Sequence, residues 1–570
     1  MLDDKRRWVV SRTNSEYVEY LSKSVSVSAP FAQILINRGI KSPQALSAFL
    51  DPSVSKFSDP FDIKGVSTAV ERIKLAKSRG ERVLIHGDYD ADGVSATSIM
   101  LEGLRLFGID AHYFIPNRIA HGYGFGTAGI EKARSINAGI IVTVDCGITS
   151  LDAVAAASAL GIDVIITDHH EAAKSDSGEL LIPDSVAVVN PKLELEVRDW
   201  SCLSGAGVAL KIIQALFQDN REYMHRFFDL AAIGTGADVV PVLDDNRIIL
   251  KEGLSLIQAG ERLGIKAIKD AAGIKPDFFK SSFLPYIVVP RINAAGRIAD
   301  ASEVVELLTT SSSSEAERLA VWLNGLNIKR QEIEQQVYSE ALAMLRTMDT
   351  GRGALVIASE GWHQGVVGIV ASRVQEEFNR PAFVLSIENG VAKGSGRSIP
   401  AFDMHSGLFQ CKDMLKRFGG HKQAAGLALS SDDLGRFREA ISKVVESTLA
   451  SDDFAPSLTI DAAVKISDMS LSLAEEISSL EPFGYGNEEP LLGAKGLQVV
   501  QPRIVGKNHL KMYLRQNGTK IDSIGFDLGG ALENLDENSV VDVAFQPTVN
   551  EWNGGRFLQL NLKALRKTSL

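Results

Sequence analysis

The stretch Arg82-Val-Leu-Ile-His86-Gly-Asp88-Tyr-Asp90-Ala-Asp92-Gly93 joins a short apolar run to one imidazole and three carboxylates. Val83 to Ile85 predicts a buried strand, because the run is apolar and shows no polar alternation. His86 and the three aspartates share one parity, so an extended segment would point all four side chains to one side. Gly93 is expected to allow a tight turn into a helix that starts near Val94.

The charges of this stretch indicate a cation site. Three like charges within five residues are unfavourable unless a cation neutralises them. Carboxylate oxygens with one imidazole suit Mg²⁺ or Mn²⁺ better than they suit a structural zinc site. The alternative is an acidic surface turn, but such turns rarely follow a buried strand with a histidine at its tip.

Length and composition predict a soluble chain of three or four domains, since 570 residues exceed a single core. We expect no membrane span and no signal peptide, because no long apolar run occurs and the N-terminus is charged. Three widely spaced cysteines fit a reducing cytoplasm. The net charge of −11 argues mildly against a nucleic-acid partner, although bound metal and local basic clusters can offset it.

Strand and helix patterns alternate from about residue 64 to 245. Apolar runs at 110–115, 138–144 and 162–167 join the strand at 82–86 and predict a parallel sheet covered on both faces. The last two runs end at Asp145 and at Asp168-His169-His170, and the segment from Leu230 leads to Asp238. Ligands bind beyond the carboxyl ends of such strands, so these acids and histidines predict one site.

Two further segments carry candidate phosphate ligands. Arg118 and Tyr123 lie in a glycine-dense loop at 116–126, which is either a substrate loop, with Arg118 on a phosphate and Tyr123 near a sugar or base, or a structural connection. Arg291 and Arg297 lie in a short segment that could recognise phosphates, because the guanidinium fork matches phosphate oxygens.

A long helix is predicted to connect two lobes. Ser314-x-x-Glu317 has the capping-box pattern and precedes helical spacing through about Leu345. We expect its leucines to pack in the core and its charged residues, Arg330 and Glu334 among them, to lie on the outside.

The second lobe contains two predicted glycine-rich loops, at 394–398 and 418–426, each with a cationic or imidazole side chain that could meet an anion. Beyond it, six short strands separated by turns fit a small barrel. Residues 495–567 carry ten Lys/Arg against seven Asp/Glu. The alternation of Lys511, Tyr513 and Arg515 indicates either a face for single-stranded nucleic acid or a solvated sheet face.

The predicted fold class is therefore α/β with an appended β-barrel. It divides into an N-terminal helical segment, a parallel-sheet domain, a connecting helix, a second α/β lobe and an OB-like barrel domain. Their predicted bounds are 1–60, 61–300, 301–350, 351–452 and 453–570.

His86-x3-Asp90-x-Asp92, Asp145, Asp168-His169-His170 and Asp238 resemble, in order and spacing, the four motifs of the DHH phosphoesterase superfamily. The resemblance implies two divalent ions, Mn²⁺ or Mg²⁺, over a phosphate ester; such a pair can activate a water and stabilise the leaving oxygen. By motif position, one ion is held by His86, Asp90 and Asp145, and the other by Asp92, Asp145, His169 and Asp238. His170 would face the scissile phosphate, with Asp88 and Asp168 in support of the ligands or the substrate.

The second lobe resembles the substrate-binding domain that accompanies the DHH domain, in which Gly-Gly-His-x-x-Ala-Ala-Gly is characteristic. The matching segment here begins at Gly419. The resemblance implies that Ser395, Arg397 and His421 line the cleft opposite the metals.

The whole assembly resembles the single-strand-specific DNA exonucleases of this superfamily. That likeness implies 5′→3′ release of mononucleotides during recombination and repair, through a channel that admits only an unpaired strand. It implies a terminal-phosphate pocket made of Arg118, Ser395, Arg397 and either Arg291 or Arg297. It also implies a monomeric cytoplasmic enzyme that works with single-strand-binding protein and a RecQ-type helicase.

Two other classes remain open. One is a DHH phosphodiesterase that acts on short oligonucleotides or cyclic dinucleotides, against which the barrel argues. The other is a catalytically inactive binding scaffold, against which the complete set of metal ligands argues.

Overall fold

A computed structural model describes residues 6–175, 177–194, 196–218, 220–275, 279–348, 351–552 and 554–568. The chain forms two compact units. One spans Ser53–Phe454, and the other combines the segment that ends at Pro52 with the segment that begins at Ala455. None of the helices described has the length and apolar character needed to cross a membrane.

The N-terminal segment contains one strand and three helices. They are β1 (Arg7–Val10), α1 (Ser15–Val25), α2 (Ala29–Asn37) and α3 (Pro43–Leu50). Each helix begins behind a side chain that accepts hydrogen bonds from first-turn amides, namely Asn14, Ser28 and Ser42. In α3 the cap Ser42 is followed by Pro43 at the first helical position, where its missing N–H costs no hydrogen bond.

A five-stranded parallel sheet forms the centre of the larger unit. The elements of this region are α4 (Val66–Arg79), β2 (Arg82–His86), α5 (Ala91–Leu106), β3 (Ala111–Phe114), α6 (Thr127–Ser135), β4 (Ala138–Val144), α7 (Leu151–Ala159), β5 (Asp163–Thr167), β6 (Ala173–Lys174), β7 (Leu180–Leu181) and β8 (Ala187–Val189). The strands of the sheet pair in the order β3-β2-β4-β5-β8, and β6 and β7 form a separate small hairpin. The predicted parallel sheet is confirmed, whereas the short edge strand β8 was not predicted.

Helices follow the sheet and complete the first lobe. They are α8 (Gly205–Phe217), α9 (Arg221–His225), α10 (Phe228–Ala237), α11 (Asp244–Ala259), α12 (Leu263–Ala271), a π-helical turn (Leu284–Val288), α13 (Val289–Ile298), α14 (Ser302–Thr309) and α15 (Ser313–Thr347). Helices α5, α8 and α10 are almost wholly buried and share one core with the strands. The segment that leads to Asp238 is therefore helical, and Asp238 caps the C-terminus of α10.

The start of α5 differs from the prediction. The helix begins at Ala91, with Asp90 as its N-cap, so Asp92 lies in the first helical turn. The expected extended alternation is therefore wrong beyond Asp90, and Gly93 is not the turn. A Cβ at Gly93 would lie 2.6 Å from the Cβ of Asp88, so this glycine allows the helix to pack against the strand end.

The long helix α15 also corrects two predictions. Its N-cap is Ser312, whose hydroxyl accepts from the amide of Glu315, and not Ser314. Arg330 and Glu334 are buried rather than outside, because they pair with each other and Glu334 also accepts from Arg373 at 3.1 Å. A buried pair can satisfy its charges internally, which sequence periodicity does not reveal.

The elements of the second lobe are β9 (Leu355–Glu360), α16 (Val367–Phe378), β10 (Ala382–Glu388), β11 (Val391–Arg397), α17 (Met404–Gln410), β12 (Arg417–Gly420), β13 (Ala424–Ser430) and α18 (Leu434–Thr448). Its strands form a mixed five-stranded sheet in the order β12-β13-β11-β10-β9. The two predicted glycine-rich loops are therefore largely strands. Their glycines permit close strand packing, since a Cβ at Gly394 would lie 2.0 Å from the carbonyl oxygen of Val384.

The C-terminal part of the smaller unit contains β14 (Ser457–Ile460), β15 (Ala462–Ala463), α19 (Leu471–Ser478), β16 (Leu492–Val505), β17 (His509–Gln516), β18 (Thr519–Gly525), β19 (Val540–Trp552) and β20 (Gly555–Lys567). Five of these strands form a closed barrel in the order β16-β17-β18-β20-β19, in which β19 pairs back to β16. Strand β1 pairs in parallel with β14. The predicted barrel and the α/β fold class are confirmed.

The predicted cationic strand face of the barrel is a network of cross-strand contacts. Lys511 Nζ lies 2.6 Å from Asp522 Oδ2, and Lys520 Nζ lies 3.9 Å from the ring centre of Tyr513. Arg515 donates to the side-chain oxygen of Gln498 at 2.9 Å. These side chains therefore brace the sheet in the absence of a ligand.

Candidate metal centre and substrate cleft

The ends of the central strands bring the predicted acids and histidines together. Asp145 follows β4 and His169 follows β5, while Asp92 comes from α5 and Asp238 from the end of α10. The Nε2 atom of His169 lies 3.1 Å from Asp145 Oδ1 and 3.8 Å from Asp92 Oδ2, and its Nδ1 lies 3.6 Å from Asp238 Oδ2. One imidazole thus stands among three carboxylates.

Three overlapping groups of potential ligand atoms, each within 4.8 Å, make up this acidic centre. The groups are Asp145 with His169 and His170, Asp92 with His169 and Asp238, and Asp88 with Asp90 and Asp145. His86 lies outside them. Its Nδ1 is 3.7 Å from the sulfur of Cys146, and its ring packs against Phe114 and Phe125.

Backbone groups fix the orientation of two of these carboxylates. Asp92 accepts hydrogen bonds from the amides of Gly205 and Ala206 at 2.7 and 2.9 Å, where the first turn of α8 favours a negative charge. Asp145 has a φ of 60°, and a Cβ at Gly205 would lie 2.5 Å from the Cβ of Asp145. Sequence analysis did not identify this contact between the start of α8 and the acidic centre. The serine cap before two small residues was the available signal.

The acidic centre is unfavourable without a cation. Burial, together with Asp238 and Asp90, raises the pKa of Asp92 to about 8. Burial and the neighbouring carboxylates likewise raise the pKa of Asp145 well above its usual value, and burial lowers that of His169 to about 4.

Unpartnered atoms also point to a missing ligand. Among the residues described, three buried atoms of the centre have no hydrogen-bond partner: Asp88 Oδ1, Asp145 Oδ1 and His169 Nδ1. Carboxylate oxygens with a neutral imidazole fit divalent Mg²⁺ or Mn²⁺.

His170 and Asp168 form a separate pair beside the centre. His170 Nδ1 lies 2.8 Å from Asp168 Oδ1, and Asp168 also accepts from the amide of Ile148. Burial alone would lower the pKa of His170, but the bond to Asp168 outweighs it and raises the pKa to about 9. The hydroxyl of Tyr123 lies 3.2 Å from Nδ1 of the same imidazole.

A cleft of about 370 Å³ lies between the first and second lobes. It is lined from one side by Tyr89, Arg118 and Tyr123, and from the other by residues that include Lys393, Ser395, Arg397 and Arg417. Arg397 donates to the hydroxyl of Ser395 and, at 3.1 Å, to that of Ser372. Sequence analysis missed Tyr89, Lys393 and Arg417.

The two alternative arginines of α13 occupy different surroundings. Arg291 donates to the side chain of Asn324 and to the carbonyl of Ile287, so its guanidinium braces two helices. Burial lowers the pKa of Arg297 to about 10, and the charges of Arg118 and Arg397 act in the same direction. Arg297 also donates to the carbonyl of Gly365 at 3.0 Å, and Gly365 lines the cleft, so Arg297 rather than Arg291 lies beside the cationic cluster.

His421 lies on the exposed turn between β12 and β13. Burial, followed by the charge of Arg397, lowers its pKa. The charge of Arg397 in the cleft therefore acts on the His421 imidazole, although His421 is not among the residues that line the cleft.

The fold and the acidic centre define a DHH phosphoesterase with its associated second domain. Residues 82–235 match the DHH family N-terminal domain, 351–447 the DHHA1 domain and 460–564 the RecJ OB domain. The chain belongs to the RecJ family of single-stranded-DNA-specific exonucleases. This is the exonuclease class that the sequence predicts, and the oligonucleotide or cyclic-dinucleotide alternative is not favoured.

Relatives with this function match most of the chain. RecJ of Bacillus subtilis is 36% identical over 99% of this chain and 71% of the relative, and RecJ of Salmonella typhimurium is 35% identical over 93% and 94%. The structure of Thermus thermophilus RecJ in complex with Mn²⁺ aligns with a TM-score of 0.83 at 29% identity, covering 100% of this chain and 80% of the other. The corresponding Mg²⁺ complex has a TM-score of 0.76 at 28% identity over 100% and 79%.

Proposed function

We propose that this exonuclease binds two divalent ions, Mn²⁺ or Mg²⁺, in the acidic centre and digests single-stranded DNA from its 5′ end, releasing nucleoside 5′-monophosphates. One observation carries the proposal. Buried carboxylates that lack partners stand beside a cleft in which arginines from both lobes gather. A phosphodiester chain with a terminal phosphate complements the arginines directly and the carboxylates through bound cations.

The ligands of the two ions follow from the acidic centre and the family motifs. His86, Asp90 and Asp145 would hold one ion. Asp92, Asp145, His169 and Asp238 would hold the other. When bound, such a pair supplies an activated water and stabilises the charge on the phosphate oxygens.

The cationic cluster would set the polarity of digestion. A 5′-terminal phosphate carries more charge than an internal phosphodiester, so Arg118, Arg297, Arg397 and the hydroxyl of Ser395 would bind the strand end in preference to its interior. Arg397 already holds its guanidinium in place by donating to Ser395, which reduces the entropy lost on binding.

His170 would act on the scissile phosphate. Its Nδ1 lies 2.8 Å from Asp168 Oδ1, an arrangement that favours a proton at Nδ1, and with Nε2 protonated as well the imidazolium would donate to a non-bridging phosphate oxygen. Asp88 would support the ligands from within the buried centre. Tyr123 and His421 would orient the terminal nucleotide from opposite walls.

The cellular setting is part of the same proposal. Single-stranded DNA is the substrate of the family, and we infer single-strand-binding protein and a RecQ-type helicase as partners of a monomeric enzyme in the cytoplasm. The three free cysteines, two of them buried, are compatible with a reducing compartment. The five predicted segments would be its functional parts, from the helical segment 1–60 to the barrel domain 453–570.

A digestion time course tests the polarity. The substrates are a 5′-labelled single strand, its 3′-labelled counterpart, the same strand in a blunt duplex, and a matching RNA, each with Mn²⁺ or Mg²⁺. We expect immediate release of labelled mononucleotide from the 5′-labelled DNA, late release from the 3′-labelled DNA and no digestion of the duplex. Immediate release from the 3′ label would overturn the polarity and with it the terminal-phosphate pocket.

A further inference from the structure

The free edge of the second-lobe sheet carries a surface that the exonuclease mechanism does not use. Strand β12 is the edge strand, and exposed cationic and aromatic side chains surround it. We call this surface the edge patch. It consists of His405, Phe409, Lys412, Lys416 and Lys422, with the half-buried ring of Phe418.

Ring and cation contacts organise the edge patch. The ring centres of His405 and Phe418 are 5.6 Å apart, and Lys412 Nζ lies 4.7 Å from the ring centre of Phe409. Phe409 remains 54% exposed although it follows two buried residues of α17. An exposed aromatic ring beside a cation leaves one face open for a flat partner.

The charge of the edge patch is strongly one-sided. Residues 405–422 contain four Lys/Arg and one acid, Asp413, in a chain whose net charge is −11. Within the described part of the chain, none of Lys412, Lys416, Arg417 and Lys422 has a carboxylate oxygen within 4.0 Å. Unpaired cations gathered in a small area favour a polyanionic partner.

Cations combined with open aromatic faces are the surface chemistry that binds single-stranded nucleic acid, through phosphates and stacked bases respectively. Lysines on an edge strand can also serve only to prevent strand pairing. That role does not account for His405, Phe409 and Lys412, which lie outside β12 on α17 and the turn after it.

The edge patch lies around the sheet edge from the substrate cleft, because Arg417 of β12 lines the cleft while the adjacent Phe418 packs on the opposite face of the sheet. If the digested strand has its 5′ phosphate at Arg397 and its scissile phosphate at the acidic centre, as proposed above, that strand runs from the second lobe towards the first. A nucleic acid on the edge patch would therefore be a different strand. We propose that the edge patch binds the unpaired 3′ arm of the complementary strand when the enzyme digests one arm of a forked DNA end.

Three substrates separate this role from the proposed function. One is a fork with a 5′ arm and a single-stranded 3′ arm, the second has the same duplex and 5′ arm but no 3′ arm, and the third is a 5′-phosphorylated trinucleotide. The variant is Phe409→Ala with Lys412→Ala in the full chain. Its matched control is Phe378→Ala with Lys443→Ala, an exposed phenylalanine and lysine elsewhere on the same lobe.

We expect the wild-type enzyme and the control to prefer the fork with the 3′ arm by about tenfold in kcat/KM, within the range that one stacked base provides. The edge-patch variant should lose this preference and keep wild-type rates on the other two substrates. An unchanged preference would overturn the proposal, as would an equal loss on all three substrates, which would assign Phe409 and Lys412 to the cleft.

Salt dependence supplies a second measurement that does not involve an aromatic residue. Lys412→Ala, Lys416→Ala and Lys422→Ala combined should reduce the slope of log affinity against log salt for the 3′ arm by about 2, since each single-strand phosphate contact contributes about 0.7. A slope equal to that of the wild type would contradict the proposal. Failure of the wild-type enzyme to digest any 5′ arm, with the trinucleotide still hydrolysed, would instead refute the proposed polarity and leave the metal site standing.

Discussion

The site combines an acidic wall, which is the acidic centre, with a basic wall, which is the cationic cluster of Arg118, Arg297 and Arg397, and both gather like charges in buried surroundings. On the first wall, burial and mutual repulsion raise the pKa of Asp92 and Asp145, and buried oxygens stand without hydrogen bonds. On the second, burial and neighbouring arginines lower the pKa of Arg297 and Arg397. Each wall by itself is less stable than an uncharged surface would be.

This difference in charge shows how the site can be specific for the end of a DNA strand. The acidic wall needs cations, and the basic wall needs a multiply charged anion. A cation pair and a terminal phosphate satisfy both walls at once, whereas an internal phosphodiester leaves the arginines only partly neutralised. If the proposed phosphate pocket holds, selectivity for strand ends would follow from the close placement of these two oppositely charged groups.

The largest expected effect comes from removing one charge from the acidic wall. Asp92→Asn removes the negative charge and keeps an acceptor for only one of the two α8 amides that Asp92 binds through its two oxygens, and His169→Ala removes the central imidazole. Each should lower kcat on single-stranded DNA by more than about 1,000-fold, because the metal pair supplies most of the charge stabilisation. Single-turnover digestion of 5′-labelled DNA measures this.

The control for this prediction is Asp184→Ala, which removes an exposed acid of the same unit. Circular dichroism and a thermal melt should show that all three variants remain folded. A near-normal rate for Asp92→Asn would contradict the assignment of the metal ligands.

The next effect concerns the basic wall. Arg397→Ala should lower kcat/KM for a 5′-phosphorylated strand by about 10- to 100-fold, as expected for loss of charged hydrogen bonds. A strand with a 5′-hydroxyl should be affected much less, because it lacks the terminal charge. Arg397→Lys should restore only part of the selectivity, since a lysine cannot make the bidentate contact. Equal losses on both strands would show that Arg397 does not distinguish the end.

A smaller effect sharpens the choice between the two arginines of α13. Arg297→Ala should lower kcat/KM by about tenfold, because it removes one charge from the cationic cluster. Arg291→Ala should lower it by less than about threefold, because that guanidinium is held by Asn324 and Ile287. Steady-state rates for the two variants, prepared side by side, decide the assignment. A reversed order would place Arg291 at the phosphate.

The smallest effect is thermodynamic and tests the acidic wall without any substrate. Saturating Mn²⁺ should raise the melting temperature by several degrees, since a ligand at 100 times its dissociation constant stabilises by about 2.7 kcal/mol. The rise should be largely lost in Asp92→Asn and retained in Asp184→Ala. Differential scanning calorimetry with and without chelator measures it. An equal rise in both variants would mean that Mn²⁺ binds elsewhere.

Sequence analysis identified much of this arrangement because its signals are local. Apolar runs that end in Asp or His mark the strand ends, so the sequence alone places Asp145 and His169 at one edge of a sheet. The barrel strands were also predicted from short runs separated by turn residues.

The features that were missed depend on distant partners. Nothing near Arg330 in the sequence indicates that Arg373 will share Glu334 with it, so a buried pair was interpreted as an exposed one. The amides of Gly205 and Ala206 donate to the Asp92 carboxylate, which lies 113 and 114 residues away in the chain. Strand β8, at three residues, is too short to show a period.

The parallel pairing of β1 with β14 has a consequence for biosynthesis. Ser28 and Glu476, whose side chains are hydrogen-bonded in the same unit, are 448 residues apart in the chain. At about 5–20 residues per second, a ribosome takes roughly 20 to 90 s to produce the missing half of this unit. The amphipathic helices α1 to α3 must therefore emerge first and wait without their core, while the exonuclease unit can fold during translation. A chaperone that shields the nascent N-terminus should consequently affect the yield of this enzyme more than it affects its stability once made.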